Sequence, residues 1–186
     1  MKKPKERLSK EQWSALGLKV LGQKGVGALR IDELCQKLKV TKGSFYWHFK
    51  GRAIFLSAIL DYWKKIATLD IIERIEIQGG SAKEKISTLF EEANSGVVDF
   101  SAEQAIRHWA RSNKPAARAV LDVDEKRINF LVEQFKALKL NKLEAETRAH
   151  LLYSLIISEG VIYQREKPAN RRQRLRRSFA AIVEEA

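Results

Sequence analysis

Apolar residues recur along this chain at three- and four-residue spacings, and no stretch sustains the alternation of a half-buried strand, so the pattern predicts an all-α fold. The first helix opens at Ser9, with Gln12 three residues on as its capping-box partner. It carries Trp13, Leu16, Val20 and Leu21 as one buried stripe and closes at Gly25. A second, two-turn helix is expected over about 31–38, with Ile31, Leu34, Cys35 and Leu38 on one face and Asp32 and Glu33 near its positive end. Lys39-Val40-Thr41-Lys42 then forms a tight break with Thr41 as N-cap, and a third short helix runs to about Phe49. The order is helix, turn, helix.

Beyond Gly51 the periods lengthen. Ile54, Phe55, Ala58, Ile59, Tyr62, Trp63 and Ile66 mark a fourth helix that would couple the head to a body, and Gln78-Gly79-Gly80-Ser81 punctuates the chain. A fifth segment over 83–100 carries Ile86, Leu89, Phe90, Ala93, Val97 and Val98, and a sixth spans 102–111. Lys114-Pro115 starts a seventh, whose inner face reads Ala117, Val120, Leu121, Asp124, Ile128, Leu131, Val132 and Phe135. Two more finish the chain: 143–164 with Leu151, Leu152, Leu155, Ile156 and Ile162, and 169–185 with Leu175, Phe179, Ile182 and Val183. The expected division is a head over 1–52 and a body over 53–186.

Charge changes this picture by locating a partner. The 186 residues hold 35 Lys plus Arg against 23 Asp plus Glu, a net charge of +12. Residues 1–50 supply 12 basic and 4 acidic groups, the segment 51–164 balances at 16 each, and the tail from Arg165 adds 7 basic against 3 acidic. A basic head on a neutral body suits a polyanion contact confined to one end. The single cysteine, Cys35, makes no internal disulfide, and the absence of paired Cys/His spacings argues against a metal scaffold, so a reducing cytoplasmic setting is expected. No apolar run approaches the length of a membrane span, and the basic start at Met1–Arg7 leads into polar residues instead of a signal sequence.

In a helix-turn-helix the second helix enters the major groove, which demands an apolar rear face and a polar front. Phe45 and Phe49, one turn apart, suit the rear. On the front, Lys42 and Ser44 can reach base edges, Gly43 removes bulk where DNA comes close, and Thr41, Tyr46, His48 and Lys50 suit phosphates; Arg30 is a further phosphate candidate. Trp47 points either to DNA or to the domain edge.

The run Val40-Thr41-Lys42-Gly43-Ser44-Phe45-Tyr46-Trp47-His48-Phe49, together with Lys24-Gly25 and Ile31-Asp32-Glu33-Leu34, resembles the TetR family of bacterial transcription regulators. The resemblance covers about the first third of the chain. It implies an all-α homodimer of about nine helices per subunit, an N-terminal domain for a double-stranded DNA operator, a body that takes a small-molecule effector, and dimerisation through the last two helices. Two positions depart from the family pattern. Lys39 stands where glycine is common in the turn, and Arg30 stands where a capping Ser or Thr is usual; each departure costs about 1 kcal/mol.

In the body, Arg107, His108, Trp109 and Arg111, with Trp63, Phe90, Phe100 and Phe130, could line a pocket for an aromatic or anionic effector, although core packing serves the aromatics equally well. The arginine-rich segment 171–177 could be a second nucleic-acid patch, but a solvated face or one pairing with Glu across a dimer suits it better. No cofactor and no catalytic residue are expected. A ligand-responsive regulator, a repressor foremost, competes with a DNA-architectural protein lacking ligand control and, more remotely, a small helical enzyme, for which no nucleophile, metal or phosphate-loop motif is present.

Overall fold

The computed structural model describes residues 8–94, 100–162 and 165–183. Among them only helices and turns occur: α1 (Lys10–Lys24), a 3₁₀ turn (Val26–Ala28), α2 (Ile31–Leu38), α3 (Lys42–His48), α4 (Arg52–Lys64), a π turn (Lys65–Leu69), α5 (Asp70–Gln78), α6 (Ala82–Asn94), α7 (Phe100–Ala110), α8 (Lys114–Ala137), α9 (Lys142–Ser158) and α10 (Pro168–Val183). Helix is unbroken from Arg52 to Gln78, so the described chain has nine helical segments and an all-α fold. Met1–Arg7, Val97, Val98 and Glu185, which figure in the sequence reading, lie outside the described residues.

The chain divides into two compact units, one of residues 1–67 and 99–121, the other of 68–98 and 122–186. The first packing unit is therefore larger than the segment 1–52 read as the head: α4 and α7 belong to it, and both pack on α1.

Two glycines explain how α1 serves two neighbours. A Cβ at Gly17 would stand 2.4 Å from Ile59 Cδ1 and 2.8 Å from Phe55 Cζ, so α4 closes on α1 where no side chain intervenes. A Cβ at Gly22 would stand 2.9 Å from the backbone nitrogen of Ala102, where α7 makes the same approach. Packing on two sides buries Ser14, Gly17 and Leu18 beside the expected Trp13, Val20 and Leu21, while Leu16 is only half-buried. The Ser9–Gln12 capping box forms as read, with Gln12 N–H donating to Ser9 Oγ over 3.1 Å and Ser9 N–H donating to Gln12 Oε1 over 2.7 Å.

In the second unit, Ile86 and Phe90 of α6, Leu131, Val132 and Phe135 of α8, Ala145, Ala149, Leu152 and Ile156 of α9, and Leu175 and Val183 of α10 form one core. Arg171 and Arg174 of α10 both reach the Glu159 carboxylate, over 2.8 and 2.9 Å, and Arg174 also holds Glu166. Part of the arginine-rich segment is thus neutralised within its own chain. Beside this, Arg127 donates to Thr68 Oγ1 over 3.0 Å, and the Tyr153 hydroxyl donates to Asp124. Burial pushes the Tyr153 phenol up to about 12, with the Asp124 carboxylate adding to the rise and Arg127 opposing it.

Several expected faces shift. Ile54 and Ile66 are exposed while Leu60 is buried in α4. In the first half of α8 the buried positions are Ala116, Ala119 and Val123, with Leu121 turned outward; small alanines give the pattern little contrast there. Phe100 opens α7 instead of ending the helix before it. Leu151 and Ile162 are exposed, and α9 ends at Ser158.

Candidate nucleic-acid interface

The helix-turn-helix is fixed from behind by aromatic rings. Phe45 of α3, Phe49 immediately after it and Phe55 of α4 are fully buried with Trp13 of α1. Phe45 meets Trp13 edge-on at a centroid distance of 5.5 Å and Phe55 at 5.2 Å, while Phe49 meets Phe55 at 5.0 Å. Each such pair adds about 0.5–1.5 kcal/mol beyond area burial, so α3 is held in one rotation about its axis. That rotation determines which side chains face outward.

The turn before α3 is set by two local devices. Lys39 adopts φ 54° and ψ 42°, the left-handed conformation read from its place in the turn, and its N–H closes α2 by donating to the carbonyls of Cys35 and Gln36. Thr41 caps α3, its Oγ1 accepting from the Ser44 N–H over 3.4 Å. Arg30 makes no cap for α2; its guanidinium instead lies 3.2 Å from Glu33. One positioning residue has no local sequence signal. Arg52, at the start of α4, donates from Nε to the Leu29 carbonyl over 3.2 Å and from Nη2 to the Val26 carbonyl over 3.0 Å, tying down the loop that leads into α2.

The outer face of α3 carries most of the residues read as DNA contacts. Thr41, Lys42, Gly43 and Lys50 are exposed, and so are two aromatic side chains, Tyr46 at 53% and Trp47 at 74%. Ser44 and His48 are half-buried, which leaves them less reach than their neighbours. Lys42 Nζ lies 2.8 Å from Asp32 Oδ1 of α2, and that hydrogen bond, followed by the carboxylate's charge, holds the ammonium pKa above its ordinary value. A Cβ added at Gly43 would meet only Thr41 Oγ1, at an ordinary 3.6 Å, so the free protein places no steric demand for glycine there. Cys35 is buried on the apolar face of α2; desolvation, with Asp32 adding to it, raises its thiol pKa and keeps the sulfur protonated.

The residues read as a pocket are divided between the two units. Trp63, Phe100, Arg107, His108, Trp109 and Arg111 belong to the first unit, and Phe90 and Phe130 to the second. Trp63, Trp109, Phe90 and Phe130 are buried, and Phe90 stacks on Phe179 at 4.8 Å within its core. Arg107 is bound 2.7 Å from Glu103, a buried carboxylate that the sequence reading passed over although the two stand one helical turn apart. Among the described residues no group of three His, Cys, Asp or Glu side chains converges as a metal site, and no helix is long and apolar enough to cross a membrane.

Residues 15–59, which hold α2, α3 and most of α1 and α4, match the family of bacterial regulatory proteins named tetR. No curated protein matches the chain in sequence. Among solved structures, a candidate transcriptional regulator from Pseudomonas aeruginosa PAO1 superposes with a TM-score of 0.69 at 17% identity, covering 96% of this chain and 93% of that one. A candidate TetR-family transcriptional regulator from Rhodococcus sp. gives 0.68 at 17% identity, with 94% and 98% covered. The ketosteroid transcriptional regulator KstR2 of Mycobacterium tuberculosis gives 0.66 at 12% identity, with 97% and 96% covered. At such identities these likenesses speak for the fold, while the kinship in sequence rests on the helix-turn-helix segment: residues 15–59 match the tetR family of bacterial regulatory proteins.

Proposed function

We propose that this protein is a cytoplasmic transcription regulator, foremost a repressor, that binds a palindromic DNA operator as a homodimer and is released by a small-molecule effector. The observation that carries the DNA-binding part is the division of α3 into a fully buried Phe45/Phe49 rear and an exposed Lys42, Gly43, Tyr46, Trp47 front. In this reading Lys42 and Ser44 read base edges, Thr41, Tyr46, His48, Lys50 and Arg30 contact phosphates, and Trp47 flanks the groove. The head over 1–52 reads DNA, and the remainder to 186 carries dimerisation and the response to ligand.

The outer face of α9 supports a homodimer. Leu143 and Leu151 are exposed in line with Thr147, His150 and Ser154, while the opposite face of the same helix fills the core. Two copies joined through α9 and α10 would present two α3 helices to successive major-groove faces about one helical turn of DNA apart. An effector that favours a body conformation with the heads out of register would then oppose DNA by linkage.

The test is selection of duplexes from a random DNA pool by the full chain, followed by titration of the recovered duplex. An inverted repeat is expected, with Tyr46→Ala losing about 1–3 kcal/mol of binding. Recovery of no common motif by a protein that nevertheless binds DNA with a steep salt dependence would favour the architectural reading. Unchanged affinity of Tyr46→Ala would reject this placement of the reading face.

A further inference from the structure

Lys42 and Asp32 form an ion pair across the turn of the helix-turn-helix. Both side chains are mostly exposed, at 61% and 70%, yet they meet across the turn at 2.8 Å. The acid lies in the first turn of α2 and the base is the first residue of α3, so the pair sits at the edge where the reading helix begins. We propose that Asp32 is a specificity-determining positioning residue, which directs the Lys42 ammonium to a base edge and withholds it from phosphates. The proposal rests on α3 being the DNA-reading helix.

An unrestrained lysine at the start of such a helix takes the nearest phosphate, and that contact is blind to sequence. Held by Asp32, the ammonium keeps further N–H donors for an acceptor such as guanine O6 or N7, and its charge is already balanced. A duplex that offers no acceptor at this position gains little from Lys42 and meets the Asp32 carboxylate as a like charge. A duplex with the acceptor gains a directed hydrogen bond.

A purely structural role is the competing account, since a carboxylate in the first turn of α2 also favours the helix dipole. Such a role would move the melting temperature and leave sequence preference untouched. The experiment therefore measures dissociation constants of the full chain for the duplex recovered from the random pool and for a scrambled duplex of equal length, over a series of KCl concentrations. The proteins are the wild type, Asp32→Asn, Asp32→Glu, Lys42→Met and the Asp32→Asn/Lys42→Met double variant.

Asp32→Asn should bind the scrambled duplex about 3- to 10-fold more tightly and steepen its salt slope by about 1, the value of one added phosphate contact, so that preference for the recovered duplex falls. Asp32→Glu should restore the preference, and in the Lys42→Met background the Asn change should leave it unaltered. Wild-type preference and salt slope in Asp32→Asn would overturn the proposal, as would the same loss of preference without Lys42. If the wild type binds neither duplex, the DNA-binding reading itself falls and this inference with it; if the wild type discriminates and Asp32→Asn matches it, only the inference falls.

Discussion

Gly43→Ala separates stability from function more cleanly than any other single change on α3. Gly43 is the second residue of the helix, its φ is not left-handed, and the added Cβ would meet one atom, Thr41 Oγ1, at 3.6 Å. The free protein should therefore accept alanine. Full helix-interior replacement of glycine by alanine gains up to about 1 kcal/mol; in a first turn part of this is expected, about 0.5 kcal/mol, or a rise of 1–2 °C in melting temperature for a chain of this length. If DNA lies against this turn, the same methyl group prevents close approach of the backbone. Binding should weaken by about 1–3 kcal/mol, and because no charge is lost the salt slope should stay at its wild-type value. Thermal unfolding by circular dichroism and anisotropy titration of a labelled duplex measure the two quantities. Unchanged binding by a stable Gly43→Ala protein would refute close approach of DNA to this turn, and a fall in melting temperature of several degrees would refute the claim that the fold tolerates the methyl.

Gly22→Ala should behave in the opposite way, because its Cβ meets the Ala102 backbone at 2.9 Å and Ser101 Oγ at 2.7 Å. Overpacking of about 1–3 kcal/mol set against a helix gain of up to about 1 kcal/mol leaves a net loss of up to about 2 kcal/mol by chemical denaturation; greater stability would show that α7 does not close on α1 at this point. Leu151→Glu should shift the protein toward monomer in sedimentation equilibrium without lowering the stability of the subunit, and an unaltered mass would remove α9 from the proposed interface. Tyr153 gives a pH signature. Its phenol is raised from 10 to about 12 in the folded state, so the stability it confers is complete below about pH 10 and is lost as pH rises toward 12, at about 1.4 kcal/mol per unit. Wild type and Tyr153→Phe should therefore converge or cross in stability over that window; parallel curves would deny the burial of the hydroxyl.

The helix-turn-helix was legible because its signals are local. The Ser9–Gln12 box, the limits of α2, the left-handed Lys39 and the Thr41 cap each depend on a few adjacent residues, and all are formed. The long helix that begins at Arg52 was followed only to Ile66. A π turn over Lys65–Leu69 interrupts the regular α-helical step there, and the residues beyond it, with the buried Ile75, pack in the other unit. Leu151 misleads for another reason: it stands at helical spacing with the buried residues of its helix yet is exposed, and spacing alone does not tell an apolar side chain that meets its own core from one that does not. Arg52 lay beyond reach because its partners are the backbone carbonyls of Val26 and Leu29, brought close from elsewhere in the chain, whereas Glu103 stands one helical turn from Arg107 and only its burial was hidden.

The two glycines of α1 bear on how this protein can be taken apart. Since one wall of the N-terminal unit is supplied by a helix that returns some eighty residues later along the chain, a fragment cut after the fourth helix would keep the helix-turn-helix but leave an open seam along Leu18 and Gly22. Such a fragment should stick to itself or unravel, and exchanging reading heads between relatives would succeed only where the returning helix travels with the graft.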